Sequence, residues 1–237
     1  MAIAGFAVGF ILDEMIARLA REPYERHEVD EDDLRLKKPG AALELSSETG
    51  AFAMPRALTT GAQYRRIVVV AATALLFALV GMQYAGSVAS LVILAAYVAV
   101  LIVCTGTDVL AYRVPNVITY PAVLGALAIG LVHPDANKLD VLVGGLLTGG
   151  VFLAMLIMTG GGMGMGDVKL AFFTGFALGL TFGVHALLLT ALIGGAVAVA
   201  LLVTNIRDRR DPIPYAPFIA IGAIVVFLLE GTAFAAV

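Results

Sequence analysis

The chain has 237 residues, of which 60% are apolar and only 14% charged, and its mean hydropathy is +0.97. Soluble domains run at about 45–50% apolar and about a quarter charged, so the composition argues against a water-soluble single-core fold. The net charge of −3 says little by itself, but 11 of the 18 acidic residues precede residue 50, which describes a membrane-embedded body behind one polar stretch.

In chain order, the first element is Met1–Leu12, prolonged by Met15, Ile16 and Leu19. It lacks the basic n-region of a secretory signal and reads as a retained helix. The stretch from Ala20 to Arg66 is a polar loop, with an acidic run of Glu22, Glu25, Glu28, Asp30, Glu31, Asp32 and Asp33. That run is either a solvated surface or a patch that attracts a basic partner. Apolar runs then follow at Ile67–Gly86, Ser87–Gly106, Val117–Val132, Val141–Thr159, Leu170–Asn205 and Ile213–Leu229. A bilayer core takes about 20 apolar residues per helix. Leu170–Asn205 has no Asp, Glu, Lys or Arg over 36 residues, too long for one helix, and Gly179-Leu-Thr-Phe-Gly183 offers a turn within it. The fold expected is an all-α polytopic membrane protein of about eight transmembrane helices.

Lys and Arg placement orients it. With the N-terminus outside, 14 of the 15 Lys and Arg residues fall on the cytoplasmic side and only Lys138 outside. The division expected is 1–66, a helix plus a cytoplasmic loop, and 67–237, a body of seven helices. The single cysteine, Cys104, sits in an apolar run and excludes an intramolecular disulfide or a Cys-based zinc site. No metal ligand set is expected, and no basic cluster interleaved with aromatics suggests nucleic acid.

Charged groups at membrane depth demand a reason. Behind Ile67 the acids are Asp108, Asp135, Asp140, Asp167, Asp208, Asp211 and Glu230. Five of them suit a solvated reading: Asp135 and Asp140 in an outer loop, Asp208 and Asp211 in an inner one, and Glu230 at the outer end of the last span. Asp108 and Asp167 differ. Both stand at the cytoplasmic ends of spans, at one depth. Across a small wet cavity, two such carboxyls share one proton. One then takes a proton from water while the other protonates a carbonyl oxygen. The alternative is two acids that cap or solubilise helix ends.

The glycines before Asp167, Gly164 and Gly166 among them, either leave room for a substrate's main chain or make a flexible connector. Val114-Pro115-Asn116 supplies a turn and a cap for the fourth span. Pro212-Ile-Pro214-Tyr-Ala-Pro217 opens the last, either with a loosened first turn that exposes carbonyls toward the interior or as a rigid helix start.

Together Asp108-Val-Leu-Ala-Tyr-Arg-Val-Pro-Asn116, Gly164-Met-Gly-Asp167-Val-Lys169 and Ile213-Pro-Tyr-Ala-Pro-Phe218 resemble the motifs of the type IV prepilin peptidases, membrane aspartic proteases with a Gly-x-Gly-Asp signature. Gly5-Phe-Ala-Val-Gly9-Phe-Ile-Leu resembles the family's first helix. The resemblance implies an endopeptidase of the inner membrane that removes a short basic leader from prepilin-like precursors in pilus assembly or protein secretion. Asp108 and Asp167 would be catalytic. Pro115, Asn116, Gly164, Gly166, Lys169, Pro214 and Pro217 would line the substrate path. Many bifunctional members carry Cys-x-x-Cys pairs in the first inner loop, and this loop has none. The departure puts N-methylation in doubt, so no cofactor is expected, with S-adenosylmethionine needed only if methylation is retained. The partners implied are the precursor substrates and membrane lipid. The rival readings are a proton-coupled transporter using the same acids, which calls for polar residues at mid-span, and a non-catalytic assembly subunit.

Overall fold

The computed structural model describes residues 1–21, 56–84, 86–159, 163–204, 214–233 and 235–236. They form seven helices: α1 (Ala2–Arg21), α2 (Arg56–Gln83), α3 (Val88–Ala111), α4 (Asn116–Val132), α5 (Lys138–Met158), α6 (Met165–Val203) and α7 (Ala216–Leu229). A minimal antiparallel hairpin, β1 (Gly231–Thr232) with β2 (Ala235–Ala236), follows, Gly231 opposite Ala236 and Thr232 opposite Ala235. Much of the polar first loop, with its acidic run, lies outside the described residues, as do Gly160–Gly162 and the segment carrying Asp208, Asp211 and Pro212.

The chain is an all-α membrane protein. Among the described residues four helices are long and apolar enough to cross a bilayer: Gln63–Gln83, Val88–Ala111, Lys138–Met158 and Met165–Leu201. Asn116–Val132 and Ala216–Leu229 are apolar but shorter. The expected break in the long run is present. Gly179 has φ 77° and ψ −172°, which splits α6 into helical segments 165–178 and 180–203. That backbone region is open only to glycine. The break frees the Ala177 carbonyl, which accepts the Ala233 N–H at 3.3 Å, so the C-terminal hairpin closes over it. Asp140, expected as a solvated loop acid, stands in the first turn of α5 with its carboxylate over Gly179.

Glycines set the packing. In lipid, helices gain little from apolar burial and associate through close backbone approach and a few hydrogen bonds. Gly5 and Gly9 seat α1 on α2, where a Cβ would stand 2.8 Å from Phe77 Cβ and from Val70 Cα respectively. The most extensive contact is α5 on α6. There Gly145 and Gly149 lie beneath Phe176 and Phe172, and a Cβ on Gly175 would come 2.5 Å from the Gly144 carbonyl. Thr148 Oγ1 bridges the pair by donating to Ala171 O at 3.0 Å. At one end of the bundle the Tyr84 hydroxyl donates to Phe227 O (2.8 Å), tying α2 to α7.

Asp135 is solvent-exposed, in line with its solvated reading, with His133 Nδ1 at 3.9 Å. Glu230 also reaches water, and it pairs with His185 of α6, a polar side chain within the 170–205 stretch. α2 also starts well before Ile67, because helical geometry extends past the apolar stretch through Arg56–Arg66.

Candidate active site

Three helix ends converge. Asp108 lies in the last turn of α3, which stops at Tyr112 in the left-handed conformation (φ 51°), the Tyr112 N–H donating to Asp108 O at 2.8 Å. Asp167 lies in the first turn of α6, its N–H donating to Gly164 O at 3.1 Å. The third end is the N-terminus of α7, where the Ala216 N–H donates to Asp108 Oδ2 at 3.0 Å and the Tyr215 N–H faces the same carboxyl.

Both carboxyls are buried, Asp108 at 5% exposure and Asp167 at 7%. Their charges lie close enough to repel each other. Asp167 Oδ1 has no hydrogen-bond partner among the described residues. One carboxyl is therefore held by helix N-terminal donors, which favour negative charge, and the other keeps an open oxygen. Such a pair can hold a water and divide the acid and base roles.

The glycine motif fits closely around it. A Cβ on Gly166 would lie 2.7 Å from Val114 Cβ, so the turn after α3 is clamped against the start of α6. Gly164 stands beside the carboxyl, its Cβ position 3.5 Å from Asp167 Oδ2. Lys169 Nζ donates to Asn116 Oδ1 at 2.7 Å and sits 4.2 Å from the centroid of the Tyr120 ring.

Several expected residues sit differently. Asn116 does not cap α4. Pro115 occupies the cap position without a side-chain bond, and its carbonyl accepts from the Thr119 N–H and hydroxyl. Asn116 is the first helical residue, and its amide oxygen is free to serve Lys169. From Tyr215 onward the last helix is not loosened, since the Phe218 and Ile219 N–H groups both close on Tyr215 O. What this turn offers inward is a donor rather than carbonyls. Pro214 leads into that turn, whereas Pro217 lines a cleft toward α2.

Sequence reasoning missed two features. The Ala216 N–H is a backbone group and leaves no signal. Asp13 does leave one, an acid inside the apolar first run. It is 2% exposed, and it receives Arg65 Nε at 2.7 Å, Arg65 Nη2 at 3.5 Å and Arg66 Nε at 3.3 Å.

Residues 95–199, which carry both aspartates, match the family model for the type IV leader peptidase family. This segment belongs to that family. Over 160 residues the chain is 34% identical to a prepilin leader peptidase/N-methyltransferase of Bacillus subtilis (strain 168), covering 66% of this chain and 62% of the relative. A protein of the same description from Xanthomonas campestris pv. campestris is 39% identical over 66 residues, 28% of this chain and 23% of that one. The matches thus span less than two thirds of these relatives. No solved structure matches the chain. The leader peptidase segment reaches from α3 through most of α6, and α7 lies beyond it.

Proposed function

We propose that the chain is a membrane aspartic endopeptidase that removes the short basic leader from type IV prepilin-like precursors. The observation that carries this reading is the meeting of Asp108 and Asp167, both buried, at one end of the bundle. The Lys and Arg distribution supports an eight-span topology with the N-terminus outside and this end at the cytoplasmic face of the inner membrane. A leader that remains cytoplasmic while its apolar helix stays in the bilayer would present its scissile bond at that depth.

In the reaction, water lies between the carboxyls. The charged one takes a proton as the oxygen attacks the peptide carbonyl, and the protonated one gives its proton to the carbonyl oxygen. Collapse of the tetrahedral intermediate expels the amine, which leaves with a proton returned by the pair. Gly164 gives the scissile backbone room beside Asp167, while Gly166 lets the turn at Val114 pack against the start of α6. Lys169 and Asn116 brace the turn that holds the α3 end against α6. No cofactor takes part.

Methyl transfer is weak or absent in this reading, because the first loop has no cysteine framework, although both relatives carry N-methyltransferase in their names. The reading is tested by incubating the detergent-purified chain with a type IV prepilin and following mass. Loss of a leader-sized fragment is expected, and an unchanged precursor refutes it. Labelled S-adenosylmethionine added to processed pilin should leave it unlabelled, and robust labelling of its N-terminus refutes the loss of methyl transfer.

A further inference from the structure

The Tyr215 phenol stands at the height of the aspartate pair. Tyr215 occupies the N-cap position of α7, and its N–H faces the Asp108 carboxyl. Its ring packs edge-on against Phe152 of α5, with centroids 6.1 Å apart, and against Phe218, 5.6 Å away. Register sets the height of these contacts. Between α5 and the first half of α6, Gly145 meets Phe176 and Gly149 meets Phe172. Continuing that pairing puts Phe152 within about one helical turn of Asp167. The second half of α6 folds back on the first, since a Cβ on Gly183 would stand 3.7 Å from Gly175 Cα. At about 1.5 Å per residue, Gly194 and Asp167 lie about 16 and 12 Å from that contact, toward the same end. A Cβ on Gly194 would lie 3.1 Å from the Tyr215 hydroxyl and 3.3 Å from its Cζ, so this glycine leaves room for the hydroxyl.

Two polar groups at this end keep hydrogen-bonding capacity to spare. Asp167 is buried, and its Oδ1 has no partner among the described residues. The Tyr215 hydroxyl likewise makes no hydrogen bond with a described residue. The Asp167 charge acts on the phenol, yet the two side chains are not bonded to each other. An oxygen placed between them could use both.

We propose that the Tyr215 hydroxyl is a third catalytic group of this site, donating a hydrogen bond to the scissile carbonyl oxygen as that oxygen gains negative charge. The inference rests on the endopeptidase reading. A carbonyl oxygen has two lone pairs, so it accepts from the phenol while it takes the carboxyl's proton. The phenol keeps its own proton throughout. Phe152 and Phe218 hold the ring in place, and a donor already in place stabilises developing charge without having to reorient.

The test is Tyr215→Phe, which keeps the ring and the N–H and deletes one oxygen. Purified parent and variant are compared on a type IV prepilin, and melting is followed by a thiol-reactive dye at Cys104. Loss of one donor to a developing oxyanion predicts a fall of about a hundredfold in kcat, with KM within about twofold of the parent and the melting temperature unchanged. Gly194→Ala, whose Cβ would press on the hydroxyl, should also lower kcat, and should lower it no further in the Tyr215→Phe background. Were Tyr215→Phe not to fold, Gly194→Ala decides by the same readouts. An unchanged kcat in the folded variant overturns the proposal and leaves the endopeptidase reading standing. A rise in KM alone, or a loss matched by lower melting, does the same. A parent that leaves the prepilin intact removes the endopeptidase reading and this proposal with it.

Discussion

Asp13 is the buried acid whose removal has the most calculable consequence. It sits between Arg65 and Arg66 with its side chain 3% exposed, and the two arginines are 25% and 50% exposed. Asp13→Asn keeps one acceptor oxygen but leaves two guanidinium groups without a counter-charge. Breaking a buried ion pair by removing one partner costs about 3–5 kcal/mol. Here both arginines reach water, which screens part of that, so the cost comes to roughly 2 kcal/mol. For a chain of this size a melting temperature moves about 2–4 °C per kcal/mol, so a fall of about 4–8 °C is expected. The chain has one cysteine, and it is fully buried. A thiol-reactive dye therefore reports unfolding directly through Cys104. Glu14→Gln is the control: it breaks only the exposed Arg18 pair, a change of about 0.3–0.5 kcal/mol. Asp13→Asn combined with Arg65→Gln should cost less than the sum of the two, because they remove one shared interaction. Melting of Asp13→Asn no lower than that of Glu14→Gln refutes the reasoning.

Gly179→Ala forces a side chain into the glycine-only region at φ 77°, with the Asp140 carboxyl in its way. It should cost about 1–3 kcal/mol, read by the same dye, and an unchanged melting temperature contradicts the break. Asn116→Ala removes the oxygen that holds Lys169 but leaves the Tyr120 ring. Loss of one charge-assisted bond of about 1 kcal/mol predicts a fall of about fivefold in kcat/KM on a prepilin substrate, and full retention of activity contradicts the bracing role. Glu230→Gln disturbs the His185 pair roughly 20 Å along α7 from Ala216. It should leave kcat/KM within about twofold of the parent, and a much larger loss would tie the far end of the bundle to the chemistry.

Much of the helical layout was legible because apolar runs and glycine breaks are written locally. The break at Gly179 followed from a run too long for one helix, and Asp108 and Asp167 fell at one depth once the runs were alternated. Helix ends were less legible: α2 continues through Arg56–Arg66, where helical geometry outlasts apolar composition. The closing hairpin that pairs Gly231 with Ala236 and Thr232 with Ala235 carries no strand-like alternation in the sequence. At the site, side chains were found and backbone groups were not. The Ala216 N–H looks like any other in the sequence, yet it is the hydrogen-bond partner of Asp108. Asn116 was read as a cap from its residue type, and only the fold brings Lys169 to it. Asp13 was visible but unassigned, because its meaning depends on α1 lying against the start of α2.

The most direct measurement is cleavage of a type IV prepilin by the purified Asp108→Asn and Asp167→Asn variants, each first shown by the Cys104 dye to melt as a folded protein. If the two carboxyls share one proton and act as a unit, each variant loses cleavage by at least about a thousandfold, and the double variant is no worse than either single one. Substantial turnover by either folded single variant contradicts the account.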